Sequence, residues 1–151
     1  MLTIECNNRQ TTHLVEESRL IQAAKRILAD AQITTGEISL AIVDDPRMHE
    51  LNRQYLQHDY PTDVLSFILE EDEGFLDGEV IVSADYAARE AAQFGWSTDD
   101  ELLLYVIHGL LHLVGYDDLA PAAKREMRTQ ERHYLAVFGL TPRYAAEDEN
   151  A

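Results

Sequence analysis

The sequence predicts an α+β fold, a small mixed sheet of about four strands covered by helices. Short segments with the pattern of strands lie in the first half of the chain, whereas helical patterns fill the second half. One of those patterns, residues 99–114, is apolar almost all round, which is typical of a helix buried on every side. We therefore expect this segment to be the inner helix of the domain.

Four short segments are predicted to be the strands. Residues 2–6 alternate between apolar and polar side chains, and residues 37–43 form a mostly apolar run. Residues 64–69 and 79–83 flank the acidic, turn-rich stretch 70–78. That arrangement favours a hairpin with the acidic stretch as its loop.

Five segments are predicted to be helices, and the inner helix has signals at both ends. Thr98 with Glu101 has the spacing of a capping box at its start, and Gly115 is suited to stop it. Asp45 followed by Pro46 has the pattern of an N-cap and a first helical residue. The other four predicted helices are residues 14–31, 45–56, 84–94 and 121–138.

Two histidines of the inner helix, His108 and His112, are four residues apart and therefore lie on one helical face. Imidazoles in an apolar wall are costly unless a partner satisfies them, and a divalent metal ion would do so. Asp118 follows His108 by ten residues, the spacing of the third ligand in metzincins, with Asp in place of the usual His. Three protein ligands leave one position open for water, which is the pattern of a catalytic zinc site.

Each of these residues also has a plainer interpretation. Backbone carbonyl groups would satisfy the two histidines if they were simply core residues. Asp118 would suit an exposed turn, and Asp117 beside it is a competing ligand, although the spacing favours Asp118. The metal site is the preferred prediction because the apolar helix, Gly115 and Asp118 occur together.

Two long motifs in the right order make the chain similar to a known family. The segment HGLLHLVGYDD, residues 108–118, resembles the HGxLHLxGYDH signature of the YbeY family of bacterial rRNA maturation factors, which are metal-dependent single-strand endoribonucleases. A second signature, LNxxYRxxDxPTDVLSF, is matched by Leu51-Asn52, Tyr55, Asp59 and residues 61–67. The resemblance runs from about residue 38 to residue 132. It fails at Asp118, where the family has a third histidine, and at Leu56, where a basic residue is expected.

The resemblance implies a zincin-like arrangement in which the metal helix packs under the sheet. It implies one zinc ion per chain, held by His108, His112 and Asp118, with catalysis through water bound to that ion. It also implies an endoribonuclease that cleaves single-stranded RNA in 16S rRNA processing and small ribosomal subunit maturation. The family's basic residue would contact the scissile phosphate, which Leu56 cannot do. Arg53, three residues earlier on the same helical face, is the candidate substitute.

A net charge of −16, from 12 basic and 28 acidic residues, is unusual for a protein that binds RNA. Contact with RNA must then be local, at the metal ion, at a few arginines and along Lys124, Arg128 and Arg132, which are spaced four residues apart. The alternative for that stripe is a solvated face paired with Glu126 and Glu131. The acidic surface also suits docking to basic ribosomal proteins.

Length and composition predict one cytoplasmic domain over residues 1–151, with a disordered tail at 145–151. The first 20 residues carry several charges, and no apolar run approaches the roughly 18 residues of a membrane span. The single Cys6 excludes a disulfide within the chain. Neither a membrane nor DNA is expected as a partner.

Two other functions stay open from the sequence. A ribosome-assembly factor with a structural metal and little or no nuclease activity fits Leu56, Asp118 and the acidic charge. A metallopeptidase is disfavoured, because Gly109 stands where HExxH enzymes carry their catalytic Glu. A glycine at that position is expected to leave room beside the metal for a bulky phosphodiester.

Overall fold

Nine helices and strands follow one another along residues 1–142, the part of the chain that the computed structural model describes. The strands are β1 (Leu2–Asn8), β2 (Gly36–Val43), β3 (Val64–Asp72) and β4 (Phe75–Ser83). The helices are α1 (Glu17–Asp30), α2 (Asp45–Leu56), α3 (Ala84–Phe94), α4 (Thr98–Leu113) and α5 (Pro121–Val137). The predicted tail, residues 145–151, lies outside the described residues.

The four strands form one mixed sheet in the order β1-β2-β4-β3. β1 pairs parallel to β2, and β2 pairs parallel to β4. β3 pairs antiparallel to β4, its partner in a hairpin, and lies at the edge of the sheet. The predicted fold class, an α+β arrangement with a small mixed sheet and covering helices, is confirmed.

The prediction of a loop at residues 70–78 is wrong, because most of that stretch continues the two strands of the hairpin. β3 runs on to Asp72 and β4 begins at Phe75, so only two residues form the turn, with Gly74 at a φ of +72°. The acidic residues 70–72 lie exposed on the edge strand. Charges on an edge strand discourage pairing with other chains. Because these residues are acidic, the alternation of apolar and polar side chains that predicts a strand is absent here.

Two helices begin at a different residue or cap from the predicted one. α1 begins at Glu17 rather than at residue 14, and the Leu14 side chain is exposed. Asp44, rather than Asp45, caps α2, because its carboxylate accepts a hydrogen bond from the backbone N–H of Arg47 at 2.9 Å.

The inner helix α4 is capped by Ser97 and not by Thr98. The Ser97 hydroxyl oxygen accepts a hydrogen bond from the backbone N–H of Asp100 at 3.1 Å. Glu101, the predicted partner in the capping box, is instead buried and accepts a hydrogen bond from Nε1 of Trp96 at 2.7 Å. The predicted capping box is therefore wrong, although the helix itself begins and ends within one residue of the predicted range.

Helices lie on both faces of the sheet, and α4 lies on the face that carries the larger core. Side chains alternate between the two faces along each strand. Leu40 and Val80 join the large core with α4, whereas Ala41 and Ile81 join a smaller cluster with α2. The helices α1, α3 and α5 pack around α4 and complete its burial. Within residues 1–142, no helix has both the length and the apolar character needed to cross a membrane.

Candidate metal centre

The end of α4 and the turn that follows it carry the three predicted metal ligands. His108 and His112 lie one turn apart near the end of the helix. The chain leaves the helix at Gly115, whose φ of +109° lies in the region that favours glycine. The backbone N–H of Tyr116 then donates to the carbonyl of Leu111 at 2.9 Å. This reversal brings Asp118 back to the two histidines.

The spacing of the three side chains fits one small cation. Their ligand atoms all lie within 4.8 Å of one another. The two histidine Nε2 atoms are 3.1 Å apart, and Oδ2 of Asp118 lies 3.4 Å from that of His108 and 3.6 Å from that of His112. Atoms about 2.0–2.1 Å from a tetrahedral zinc ion would lie roughly 3.3 Å from each other. The structure therefore brings together the three residues that the sequence predicts as ligands.

Charge couples the same three side chains. Burial lowers the pKa of His108, but hydrogen bonds to Asp118 and Glu131 outweigh it and raise the pKa to about 9. The hydrogen bond from His108 in turn lowers the pKa of Asp118 to about 2, against the effect of burial. A metal ion must displace protons from its ligands in order to bind. The proton that these carboxylates stabilise on His108 would therefore compete with a metal ion for the ring.

A fourth residue, Glu131, contacts the centre and was missed by sequence reasoning. Oε2 of Glu131 lies 2.7 Å from Nδ1 of His108, and its other oxygen accepts a hydrogen bond from Nη1 of Arg128 at 2.7 Å. Glu131 has an exposed fraction of 0%, so the interpretation of it as part of a solvated face is wrong. Its spacing from the buried Met127 and Leu135, four residues to either side, was a signal that could have placed it on the inner face of α5.

The predicted RNA contacts are distributed over two helices. Arg53 is exposed on the last turn of α2. On α5, Arg132 is exposed and Lys124 is half-buried, whereas the Arg128 side chain is 18% exposed and directed to Glu131. The substrate-binding roles of these four basic residues stay predictions.

The expectation that Gly109 leaves room beside the metal for substrate is wrong. A Cβ atom at this position would lie 2.6 Å from Cγ1 of Val80 and 3.2 Å from Cγ2 of Val64. The missing side chain therefore makes room for the sheet. The glycine allows α4 to lie close against β3 and β4, and so fixes the depth at which the histidines sit.

The chain is similar in sequence to a known protein family. Residues 5–139 match the family model described as Endoribonuclease YbeY. The protein of that name from Desulfitobacterium hafniense is 42% identical over 127 residues, which cover 78% of this chain and 81% of the relative. The protein of that name from a Sulfurovum species is 42% identical over 143 residues, which cover 91% of each chain.

A solved structure has a similar fold. The solution structure of TM1509 from Thermotoga maritima is 31% identical in sequence and superposes with a TM-score of 0.62. The match covers 90% of this chain and 89% of that one. Since the family match and these relatives agree over most of the sequence, the chain belongs to the YbeY family of endoribonucleases.

Proposed function

We propose that this chain is a metal-dependent endoribonuclease that cleaves single-stranded RNA with one zinc ion held by His108, His112 and Asp118. The observation that carries the proposal is the mutual spacing of the three ligand atoms, 3.1 to 3.6 Å. The relatives named as endoribonucleases supply the reaction class. Together they favour hydrolysis of a phosphodiester at this centre.

The chain contributes three ligand atoms, from His108, His112 and Asp118, to the proposed ion. A divalent ion held there supplies Lewis acidity toward a phosphoryl oxygen and lowers the pKa of water that it binds. The side chains of His108, His112 and Asp118 are 20%, 30% and 34% exposed, so the site faces solvent and a polymer can approach it. As an anion in place of a third imidazole, Asp118 offsets part of the positive charge of the site. Its oxygen also weakens the preference for zinc over manganese or magnesium.

We propose that RNA is held by a small number of basic side chains. Arg53, Lys124, Arg128 and Arg132 are the candidates, and Arg128 also donates a hydrogen bond to Glu131. The log of the affinity for single-stranded RNA falls with the log of the salt concentration by about 0.7 for each phosphate that is neutralised. With so few contacts, the expected slope is shallow for an RNA-binding protein.

The proposed setting is the bacterial cytoplasm, where the chain acts in 16S rRNA processing and small ribosomal subunit maturation. The net charge of −16 supports docking to basic ribosomal proteins rather than extended contact with nucleic acid. The same charge disfavours double-stranded DNA, whose recognition relies on a large basic surface.

The test is cleavage of single-stranded RNA by zinc-loaded protein, with His112→Ala beside the wild type. His133→Ala is the matched control, because His133 is an exposed histidine of α5 that does not belong to the ligand cluster. We expect cleavage by the wild type and by His133→Ala, and loss with His112→Ala. Duplex RNA and single-stranded DNA should survive. Cleavage that persists in His112→Ala would assign the activity to a contaminant and refute the proposal.

A second candidate is a ribosome-assembly factor whose metal is structural. It is favoured by Leu56, which is 45% exposed and apolar where the resemblance leads one to expect a basic residue. The same assay separates the two functions. Protein that binds zinc through the three ligands but leaves single-stranded RNA intact would be the assembly factor.

A further inference from the structure

We infer that Glu131 is a positioning residue of the metal centre: its buried carboxylate accepts a hydrogen bond from Nδ1–H of His108 and so directs Nε2 of that ring to the metal ion. The inference rests on the metal site of the proposed function and adds a residue from a different helix. It also gives Arg128 a task inside the protein, beside its predicted contact with RNA.

The direction of the His108 ring follows from which of its nitrogens is already engaged. Nδ1 lies 2.7 Å from Oε2 of Glu131, whereas Nε2 lies 3.4 Å from Oδ2 of Asp118 and 3.1 Å from Nε2 of His112. A neutral imidazole has one N–H and one lone pair, and the partner of the first nitrogen decides which form is present. With the Nε2 proton displaced by a metal ion, a carboxylate at Nδ1 would keep the remaining proton there and leave the lone pair on Nε2, among the other ligand atoms.

The carboxylate of Glu131 has a second partner. Its second oxygen accepts a hydrogen bond from Nη1 of Arg128 at 2.7 Å, one turn earlier on α5. Burying a carboxylate is costly unless it is paired and hydrogen-bonded, and Glu131 is completely buried. An ion pair that served stability alone would require only Arg128. The contact with His108 is what relates this buried charge to the metal centre.

The second histidine provides an internal contrast. Nε2 of His112 lies near His108 and Asp118. Among the described residues, Nδ1 of His112 has no hydrogen-bond partner. The side chain of His112 is also more exposed than that of His108, 30% against 20%. Glu131 is therefore expected to position His108 and not His112. A general loosening of the site would affect both imidazoles, so the two effects can be distinguished.

The first test is zinc affinity, measured by competition with a chromogenic chelator, for wild type, Glu131→Gln and Glu126→Gln. The glutamine at 131 keeps the volume, but its amide cannot accept from both His108 and Arg128, because one end is a donor. Loss of such an outer contact weakens metal affinity by about 10- to 100-fold, and we expect that loss for Glu131→Gln. Glu126→Gln removes the same charge from an exposed position of the same helix and should bind zinc as the wild type does.

The second test needs no variant, so it stands even if Glu131→Gln does not fold. In nitrogen-15 NMR spectra of the zinc-loaded wild type, His108 should carry its proton on Nδ1 and bind zinc through Nε2. Zinc on Nδ1, or wild-type affinity in a folded Glu131→Gln, would overturn the role of Glu131 and leave the metal site standing. Wild-type protein that binds no zinc would overturn the metal site and this inference together.

Discussion

The two faces of the sheet differ in how firmly they hold their functional side chains. On the α4 face, His108 contacts Asp118 and the buried carboxylate of Glu131. On the α2 face, a groove of about 390 Å³ opens over the sheet, with the rings of Tyr55 and Phe67 5.5 Å apart at its side. Tyr55 is 57% exposed there.

The chain departs from the family pattern at one position in each of these regions, and the two replacements differ in chemistry. At Leu56, 45% exposed at the end of α2, the expected basic residue is replaced by one with no related chemistry. At Asp118, within the metal centre, the replacement still offers a ligand atom close to those of the two histidines. A side chain with several fixed partners cannot be exchanged freely, because its loss leaves those partners unsatisfied.

The largest effect is expected at two adjacent acids, of which only one belongs to the centre. Asp118→Asn should weaken zinc affinity by more than the roughly 100-fold that marks the upper end for an outer-contact residue, because it removes an anionic ligand. Asp117→Asn should bind zinc nearly as the wild type does, since Oδ1 of Asp117 accepts a hydrogen bond from the backbone N–H of Leu119 at 2.7 Å. Chelator competition on both variants measures the difference. Equal losses would mean that the turn and not the ligand matters.

The next effect is on stability and tests how closely α4 packs on the sheet. In Gly109→Ala the new methyl group would overlap Val80, a stiff β-branched residue of β4. Overpacking costs about 1–3 kcal/mol, and the better helix propensity of alanine returns about 1 kcal/mol. We expect a net loss of free energy of unfolding of about 1 kcal/mol, measured by denaturant titration.

The partner of that contact supplies the control. In a Val80→Ala background the overlap is relieved, so Gly109→Ala should there be neutral or stabilising, and the double-mutant cycle should show coupling between the two positions. A Gly109→Ala protein more stable than the wild type would contradict the tight packing of α4 on β4.

The three metal ligands could be predicted from the sequence, whereas the strand at residues 70–72 could not. His108, His112 and Asp118 lie within eleven residues of chain. Their geometry follows from the helical repeat and from one glycine turn, so the apolar helix, Gly115 and the spacing together predicted them. The strand pairing of residues 70–72 could not be found in this way, because an edge strand exposed to solvent tolerates acidic side chains.

Glu131 shows a different limit of sequence reasoning. It lies 23 residues after His108 on another helix, and no local periodicity relates the two. Its position on the buried face of α5 was readable, but its partner depended on how α5 packs against α4. Contacts between elements of this kind require the tertiary structure.

On the α2 face, the expected changes are smaller. Arg53→Ala should reduce cleavage of single-stranded RNA by less than about tenfold, since an exposed arginine contributes through a solvent-screened contact, and zinc affinity should not change. Leu56→Arg should raise cleavage, because the resemblance implies a basic side chain there and a guanidinium can stabilise developing charge on a phosphate. Single-turnover rates and chelator competition on both variants check these expectations. Normal cleavage by Arg53→Ala would dispose of Arg53 as the substitute.

The smallest effect concerns a buried acid of α4 that lies away from the ligands. Burial raises the pKa of Glu101 above its ordinary value of 4.5, although the hydrogen bond from Trp96 lowers it. The unfolded chain then loses its proton at a lower pH than the folded chain, so Glu101 costs stability as the pH rises from about 4.5 through its folded-state pKa. Glu101→Gln still accepts from Trp96 without this cost.

We therefore expect the stability of Glu101→Gln relative to the wild type to increase with pH across that window and to level off above it. Denaturant titrations of both proteins at a series of pH values measure the difference, in which the contributions of the other acidic residues cancel. Glu126→Gln, a change at an exposed position, should track the wild type. A flat difference for Glu101→Gln would mean that water reaches this end of α4, and that the close burial which holds the two histidines does not extend over the whole helix.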